Sequence, residues 1–182
     1  MQRLSIGTLE PRKNHAKLIE SFGKIYEQNP NIRLFLVGPD GPARPEIDQA
    51  MEKLSPNARS RVFITGSVSD IDRTYLLKNA AVLAYASIYE GFGLPLLEAM
   101  KTKTPIVTSS EGSLLEVAGN AAIFVDPSDS SSIAKGILDV IDNIETRSKL
   151  VENGTSHLDN YSWEKSAEIL SSIYMKVIKE NN

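Results

Sequence analysis

Short apolar runs alternate with longer amphipathic stretches along the whole chain. Each run is apolar on both faces, as in Leu34-Phe35-Leu36-Val37, and turn residues such as Gly, Pro or Ser follow it. Unbroken apolar character is what a parallel strand covered on both faces requires. We therefore predict strands over residues 3–7, 33–38, 61–66, 82–87, 105–109 and 121–125.

The stretches between these strands carry apolar residues at helical spacing. In the first of them, Leu18, Ile19, Phe22 and Ile25 share one face. Asn14 stands where this helix needs an N-cap. We predict helices over residues 14–28, 45–54, 69–79, 95–101, 130–144, 145–157 and 163–179.

Strands that alternate with helices predict an α/β fold. We expect a doubly wound parallel sheet of about six strands, Rossmann-like in its right-handed crossovers. The length of 182 residues suits a single domain over residues 1–182, and the sequence shows no internal repeat or dividing linker. Ligands of such sheets bind at the carboxyl ends of the strands, so the loops after the strands hold the candidate residues.

Composition and charge exclude several kinds of site. The net charge of −3 argues against a nucleic-acid partner, which needs a basic footprint. The chain has no cysteine, which excludes disulfides, thiolate metal sites and a cysteine nucleophile. No apolar stretch approaches the ~20 residues that span a membrane.

The loop after the first predicted strand places two cations at the mouth of a helix. The strand ends at Gly7, and Arg12 and Lys13 directly precede the predicted helix start at Asn14. A helix N-terminus offers free N–H groups and a positive dipole end, so added cations make a site suited to a diphosphate. The alternative is a solvated, charged turn, although cations there oppose the dipole at a cost of roughly 0.3–1 kcal/mol.

The loop after the fourth predicted strand places two carboxylates around a glycine-rich turn. Glu90 precedes Gly91 and Gly93, which let the backbone turn tightly, and Pro95 opens a helix that contains Glu98. Two carboxylates can accept hydrogen bonds from a sugar diol or act as general acid and base. Either glutamate alone would be assigned to the surface, but the pair around this turn favours a binding site.

Glu90 and Glu98, with seven residues between them, resemble the E-x7-E signature of glycosyl transferases group 1 (family four), whose members have the two-domain GT-B fold. Residues 105–117, 121–127 and 161–163 and the first loop are similar to that family as well. The resemblance covers nearly the whole chain but only the C-terminal half of a usual member. It implies that the N-terminal acceptor domain is absent here, which agrees with a first strand that begins at residue 3.

The resemblance implies a role for each matching position. Lys13 matches the lysine that holds the donor diphosphate. Arg12 is assigned the same task, because Thr8 stands where some members carry their arginine. Glu98 matches the carboxylate that binds the ribose hydroxyls, and Glu90 matches the one near the transferred sugar. The implied catalytic residues are Glu90, Arg12 and Lys13, and the implied donor-binding set is Gly7, Thr8, Arg12, Lys13, Ser67, Val68, Glu90, Gly91, Phe92, Gly93, Leu94 and Glu98.

The implied reaction is retaining transfer of a hexose from a nucleotide diphosphate sugar to a glycan or lipid-linked acceptor. Arg12, Lys13 and the helix N-termini would stabilise the charge on the departing diphosphate, with no metal or other cofactor. The first loop resembles that of mannosyltransferases of polysaccharide assembly, so GDP-mannose is the first donor to test.

The expected partners are the nucleotide-sugar donor, the missing N-terminal domain and the acceptor, with no nucleic acid among them. The isolated chain is expected to be inactive, because closure of both domains builds the site. A cytoplasmic location is expected, with any membrane association coming from the N-terminal domain. The alternative, from another class, is a non-catalytic nucleotide-binding module of the same fold.

Four further features carry smaller expectations. Asp70-Ile71-Asp72 follows Ser69 at a predicted helix start, where acids favour the dipole, so we expect no metal there. We expect His15 on the surface of its helix. Lys101-Thr102-Lys103 lacks the Gly common at this helix end in the family, at a cost of about 1 kcal/mol. Ser113 replaces another common Gly and is expected not to touch the donor-binding residues.

Overall fold

A six-stranded sheet forms the centre of the described part of the chain. The structure is a computed structural model that describes residues 2–180, with side chains from residue 6 onward. The strands are β1 (Gln2–Ile6), β2 (Arg33–Val37), β3 (Val62–Gly66), β4 (Val82–Tyr85), β5 (Ile106–Thr108) and β6 (Ala122–Phe124). Their order is β3-β2-β1-β4-β5-β6, and neighbouring strands are parallel.

Helices cover both faces of this sheet. They are α1 (His15–Gln28), α2 (Arg44–Glu52), α3 (Pro56–Arg59), α4 (Asp70–Asn79), α5 (Leu94–Lys101), α6 (Leu114–Ala118), α7 (Ser130–Asp142), α8 (Ile144–Leu158) and α9 (Trp163–Glu180). Val82 and Leu83, which are successive residues of β4, belong to two different apolar clusters. Because successive strand residues point to opposite faces, the core has two layers, and the predicted doubly wound α/β fold is confirmed.

Three short elements were not predicted. They are α3, α6 and a 3₁₀ turn at Pro11–Lys13. Elements this short do not show a hydrophobic period, which is the signal that locates longer helices. The N-cap predicted at Ser69 is confirmed, because its hydroxyl accepts a hydrogen bond from the Asp72 N–H.

The strand order reverses between β1 and β4. The helix after β1 packs on one face of the sheet and the helix after β4 packs on the other, as Phe22 of α1 and Leu96 of α5 in separate clusters show. A crevice therefore opens at the carboxyl ends of β1 and β4, where ligands of doubly wound sheets bind. The two loops that the sequence singled out lie at this crevice.

The end of α5 is closed without glycine. Lys103 has a φ of 58°, its N–H donates to the Met100 carbonyl (3.0 Å), and the Thr104 N–H donates to the Ala99 carbonyl (2.8 Å). This is the Schellman pattern, in which glycine is the usual residue at the left-handed position. A side chain there costs roughly 1–2 kcal/mol.

The variant Lys103→Gly is therefore expected to raise the free energy of unfolding by about 1 kcal/mol, since the left-handed cost exceeds the extra backbone entropy of glycine. Urea unfolding of this chain measures the change. The control is Lys101→Gly, at the last residue of α5, which should lower the stability. A loss of stability in both variants would contradict the explanation.

The last helix, α9, leaves its apolar side chains uncovered. None of its residues is buried, and Trp163, Ile173 and Tyr174 are among its exposed large side chains. Within residues 2–180, no helix combines the length and the apolar character that crossing a membrane requires.

Candidate functional site

Lys13 reaches back over the end of β1 towards the neighbouring strand. Gly7 follows that strand with a φ of 144°, and a Cβ at this position would lie 2.9 Å from Cε of Lys13. Glycine at position 7 therefore leaves the passage through which the lysine side chain runs. The Lys13 ammonium donates to the Tyr85 hydroxyl at the end of β4 and lies 4.7 Å from the centre of that ring.

Glu90 holds both candidate phosphate-binding cations. Its Oε1 accepts from Lys13 Nζ at 2.7 Å, and its Oε2 accepts from Arg12 Nη1 at 2.6 Å. The Glu90 side chain is only 6% exposed and that of Lys13 is 9% exposed, whereas Arg12 is 43% exposed. Arg12 also pairs with Glu10 through Nε at 2.6 Å. The three residues assigned to catalysis thus form one ionic cluster at the switch point of the sheet.

The charge of this cluster follows from two opposing effects. Burial by itself raises the pKa of Glu90, but the interactions with Lys13, Ser87 and Tyr85 together outweigh it and hold the pKa below its usual value. Burial and the nearby Glu90 charge raise the pKa of Tyr85, which therefore stays a neutral phenol. At neutral pH the cluster consists of two cations and one buried carboxylate, and the less buried Glu10 carboxylate, paired with Arg12, balances the second positive charge.

Asn14 ties the two loops together instead of capping α1. It stands at the N-cap position with a φ of 58°, and its side chain makes no cap hydrogen bond, so the predicted capping role is wrong. Its Nδ2 donates to the Ala86 carbonyl (3.0 Å) and to the Pro127 carbonyl (2.7 Å). The Ile88 N–H also donates to the Arg12 carbonyl (2.7 Å). These bonds fix where the cations stand relative to Glu90.

Ser113 supports the other side of Glu90. Its hydroxyl and its N–H both donate to the Glu90 carbonyl, at 3.1 Å and 3.3 Å. A Cβ on Gly112 would lie 2.5 Å from the same oxygen, so the loop after β5 presses directly on this backbone. The expectation that Ser113 does not touch the donor-binding residues is therefore wrong.

The candidate nucleoside-binding residues line a separate cavity of about 260 Å³. Gly7, Thr8, Ser67 and Val68 border it, which brings together loops that follow β1 and β3. Arg73, a residue of α4 that the sequence analysis did not select, completes the wall.

Glu98 does not line this cavity itself but contacts Arg73 in its wall. Its Oε1 pairs with Arg73 Nη2 at 3.1 Å, and its Oε2 is buried with no hydrogen-bond partner among residues 2–180. Burial raises the pKa of Glu98, the Arg73 charge lowers it, and the Asp70 charge raises it, with a net upward shift. A carboxylate oxygen that is buried and unpartnered is suited to accept hydrogen bonds from a hydroxyl.

The rest of the glycine-rich turn points elsewhere. Phe92 and Leu94 line a third cavity, of about 180 Å³, together with Tyr161 and Trp163. Gly93 has a φ of 97°, and a Cβ there would lie 2.8 Å from the Leu114 side chain, so glycine is required. A Cβ on Gly91 would meet nothing within 4 Å.

His15 is buried at the start of α1, contrary to the expectation that it lies on the surface. It is 1% exposed, and neither ring nitrogen has a hydrogen-bond partner in the described part of the chain. Burial and the charge of Lys13 lower its pKa to about 4. The surface assignment failed because the position of His15 in the first turn of α1 does not reveal what packs over that turn.

The structure adds positioning residues that the sequence did not reveal. Tyr85, Asn14 and Ser113 touch or orient the cluster, and Arg73 touches Glu98. Only the position of Tyr85 at a strand end was a signal available in advance. Within residues 2–180, no three acidic or histidine side chains lie close enough together to hold a metal ion.

Known proteins resemble this chain in sequence or in fold. The O-antigen chain mannosyltransferase B of Escherichia coli is 36% identical over 162 residues, which are 88% of this chain and 42% of that protein. An Anabaena protein solved with UDP and glucose superposes with a TM-score of 0.82 at 23% identity, over 94% of this chain and 48% of that one. The C-terminal domain of a Francisella tularensis protein of this group superposes with a TM-score of 0.76 at 22% identity, over 87% of this chain and 85% of that domain.

These matches cover only part of each full-length relative. The chain spans less than half the length of the curated relatives that it matches. The two structural likenesses show the fold. The family model of glycosyl transferases group 1 matches residues 2–157, and the chain belongs to that family.

Proposed function

We propose that this domain binds the nucleotide-sugar donor of a retaining hexosyltransferase, with mannose as the hexose and GDP as the nucleotide. The observation that carries the proposal is the ionic cluster in which Glu90 holds both Arg12 and Lys13 at the switch point of the sheet. In the complete protein, an N-terminal domain would supply the glycan or lipid-linked acceptor.

The cluster is suited to exchange partners when a donor arrives. A diphosphate brings negative charge to two cations that Glu90 and Glu10 hold in the free domain. Arg12 offers a planar fork and Lys13 a point charge, and together they can hold two phosphate groups. Glu90 and the diphosphate compete for the same cations. Donor binding therefore weakens the bonds that Arg12 and Lys13 make to the Glu90 carboxylate and leaves that carboxylate available to the sugar.

The nucleoside has a place of its own next to the cluster. Gly7 and Thr8 border both the cation loop and the cavity that Ser67, Val68 and Arg73 complete. The unpartnered Oε2 of Glu98 is suited to a ribose hydroxyl. This arrangement supports a nucleoside diphosphate in preference to a free phosphate.

During transfer, negative charge grows on the departing diphosphate. Arg12 and Lys13 are already in place to stabilise it, with no reorganisation at the moment of bond cleavage. The charged Glu90 stabilises positive charge that develops on the sugar ring. No step needs a metal ion, because two cationic side chains supply the positive charge.

The choice of mannose rests on sequence similarity. The E. coli mannosyltransferase B is 36% identical, and serotype-specific mannosyltransferases of the same organism are 30% identical over 169 residues. GDP is therefore the first nucleotide to test, with UDP and ADP beside it.

Calorimetric titration of this chain with GDP, UDP and ADP, with and without EDTA, tests the proposal. We expect one of them, GDP first, to bind with an affinity that EDTA leaves unchanged. Lys13→Ala is expected to weaken this binding about 10- to 100-fold, because a charge-assisted hydrogen bond contributes about 1.5–3 kcal/mol.

The control variant is Lys53→Ala, which removes an exposed lysine at the end of α2 and should leave the affinity unchanged. Equal weakening by both variants would mean that the overall charge of the chain, and not a specific contact of Lys13, causes the loss of nucleotide affinity. Binding that EDTA abolishes would overturn the metal-free site. Failure of all three nucleotides to bind would mean that the donor site needs the N-terminal domain, or would favour a module of the same fold that binds another ligand.

A further inference from the structure

A second cationic cavity lies behind Glu98, away from Arg12 and Lys13. Its volume is about 620 Å³, and the gap between α4 and the end of α5 forms it. Four cations line it, Arg73, Lys78, Lys101 and Lys103, against one carboxylate, Glu98. This excess of three positive charges stands out in a chain whose net charge is −3.

The lysines of this cavity are not neutralised by the protein. No ion pair or side-chain hydrogen bond is found within residues 2–180 for Lys78, Lys101 or Lys103, whereas Arg73 pairs with Glu98 and Asp70, each at 3.1 Å. Cations in the last turn complement the helix dipole, which accounts for Lys78 and Lys101. It does not account for Arg73, which lies in the first half of α4.

Lys103 is kept in a conformation that costs stability. Its φ of 58° is the left-handed value for which glycine is the usual residue. Backbone strain of this kind, retained at the rim of a cavity, is typical of residues whose side chain has a function. Here the side chain adds a cation to three others.

We infer that this cavity binds a free phosphoanion, such as a phosphate or pyrophosphate group, through Lys78, Lys101, Lys103 and Arg73. The cations converge on one concave gap between two helices, which suits a small anion better than a flat membrane surface does. Arg73 borders both this cavity and the proposed nucleoside cavity, so an anion here competes with Glu98 for the same guanidinium. The inference goes beyond the proposed function, and the binding of the anion does not depend on it.

The experiment is an NMR titration of the ¹⁵N-labelled chain with inorganic pyrophosphate. In the wild type we expect shifts of the Lys78 and Lys103 amides and of the Arg73 side-chain Nε–H. The double variant Lys101→Ala/Lys103→Gly should weaken the binding that these signals report about tenfold or more. Because Lys103→Gly relieves backbone strain, we expect this variant to remain folded.

Variants elsewhere separate this site from the donor site. Pyrophosphate is also expected to shift amides near Arg12 and Lys13, and Lys13→Ala should remove only those shifts. The double variant Lys53→Ala/Lys149→Ala removes two exposed lysines without polar partners in the described chain. It should change neither the shifts near the donor site nor those at the second cavity. If the wild type shows no shifts near Arg12 and Lys13 but does show those at Lys78, Lys103 and Arg73, the result counts against the proposed function and leaves this inference standing.

Two results would overturn the inference. One is the absence of shifts at Lys78, Lys103 and Arg73, or shifts that persist unchanged in the Lys101→Ala/Lys103→Gly variant. The other is binding to phosphatidylglycerol vesicles that this variant loses, without any response to pyrophosphate, which would assign the cavity to a lipid headgroup.

Discussion

Glu90→Gln is expected to lower transfer by the full-length protein about 10²- to 10³-fold, while the nucleoside diphosphate binds as tightly as before or more tightly. The two effects have opposite signs because Glu90 has two roles. Its charge stabilises the sugar as the glycosidic bond breaks, and in the free domain it occupies Arg12 and Lys13 at 2.6 Å and 2.7 Å. Removing the charge frees both cations for the diphosphate.

Initial rates with the full-length protein and calorimetry with this chain measure the two effects separately. Glutamine keeps the shape of the side chain, and its amide oxygen can still accept from Lys13. Thermal unfolding of the variant checks that the fold survives the loss of a buried charge partner. The matched control is Glu152→Gln, an exposed residue of α8 that should change neither quantity.

The pattern of the results distinguishes the roles of Glu90. Loss of both transfer and diphosphate binding would mean that Glu90 serves only to position the cations. Unchanged transfer would remove Glu90 from the reaction and leave the donor-binding proposal intact.

Protonation of His15 alone is expected to lower the free energy of unfolding of this chain by about 3 kcal/mol between pH 7 and pH 4. The pKa of His15 is about 4 in the folded state against an ordinary value of 6.5, because of burial and then the charge of Lys13. Between these values the unfolded chain binds a proton that the folded chain does not. Stability is therefore complete above pH 6.5 and falls as the pH is lowered towards 4, by about 1.4 kcal/mol per pH unit.

The difference between wild type and His15→Leu isolates this contribution. Urea unfolding from pH 7 to pH 4 should show a loss for the wild type that exceeds the loss for the variant by about 3 kcal/mol. At pH 7 the variant should be as stable as the wild type or more so, because neither ring nitrogen has a partner among the described residues.

The second histidine provides the control. The variant His157→Leu should lose as much stability on acidification as the wild type, since His15 is still present. Parallel pH profiles for the wild type and His15→Leu would show that His15 is protonated equally easily in both states, and its burial would then have no effect on proton binding.

Much of the candidate site was predictable because its signals are local. The glycine and proline positions around Phe92, the adjacent cations after β1 and the apolar strands all depend on neighbouring residues. The family resemblance, carried by Glu90 and Glu98, assigned both glutamates to the donor. Their individual roles stay predictions until the variants above are measured.

The errors share one cause. Asn14 was assigned to a cap, His15 to the surface and Ser113 to a position that does not touch the donor-binding residues. Asn14 and Ser113 instead bond to residues far away in sequence, as when Asn14 donates to Pro127, 113 residues further along the chain, and His15 is buried. A helix-capping rule considers only the next few residues, so it cannot detect such a partner.

By itself, the sequence determined the six strands and the longer helices, the fold class and the two loops that carry the chemistry, because hydrophobic periods and turn residues act over a few positions. Only the tertiary structure decided that β1 lies next to β4, and therefore that Glu90 meets Arg12 and Lys13 across 78 and 77 residues. It also decided that Arg73 stands between two cavities. Ion pairs of this kind depend on strand order and side-chain packing, which no spacing along the chain records.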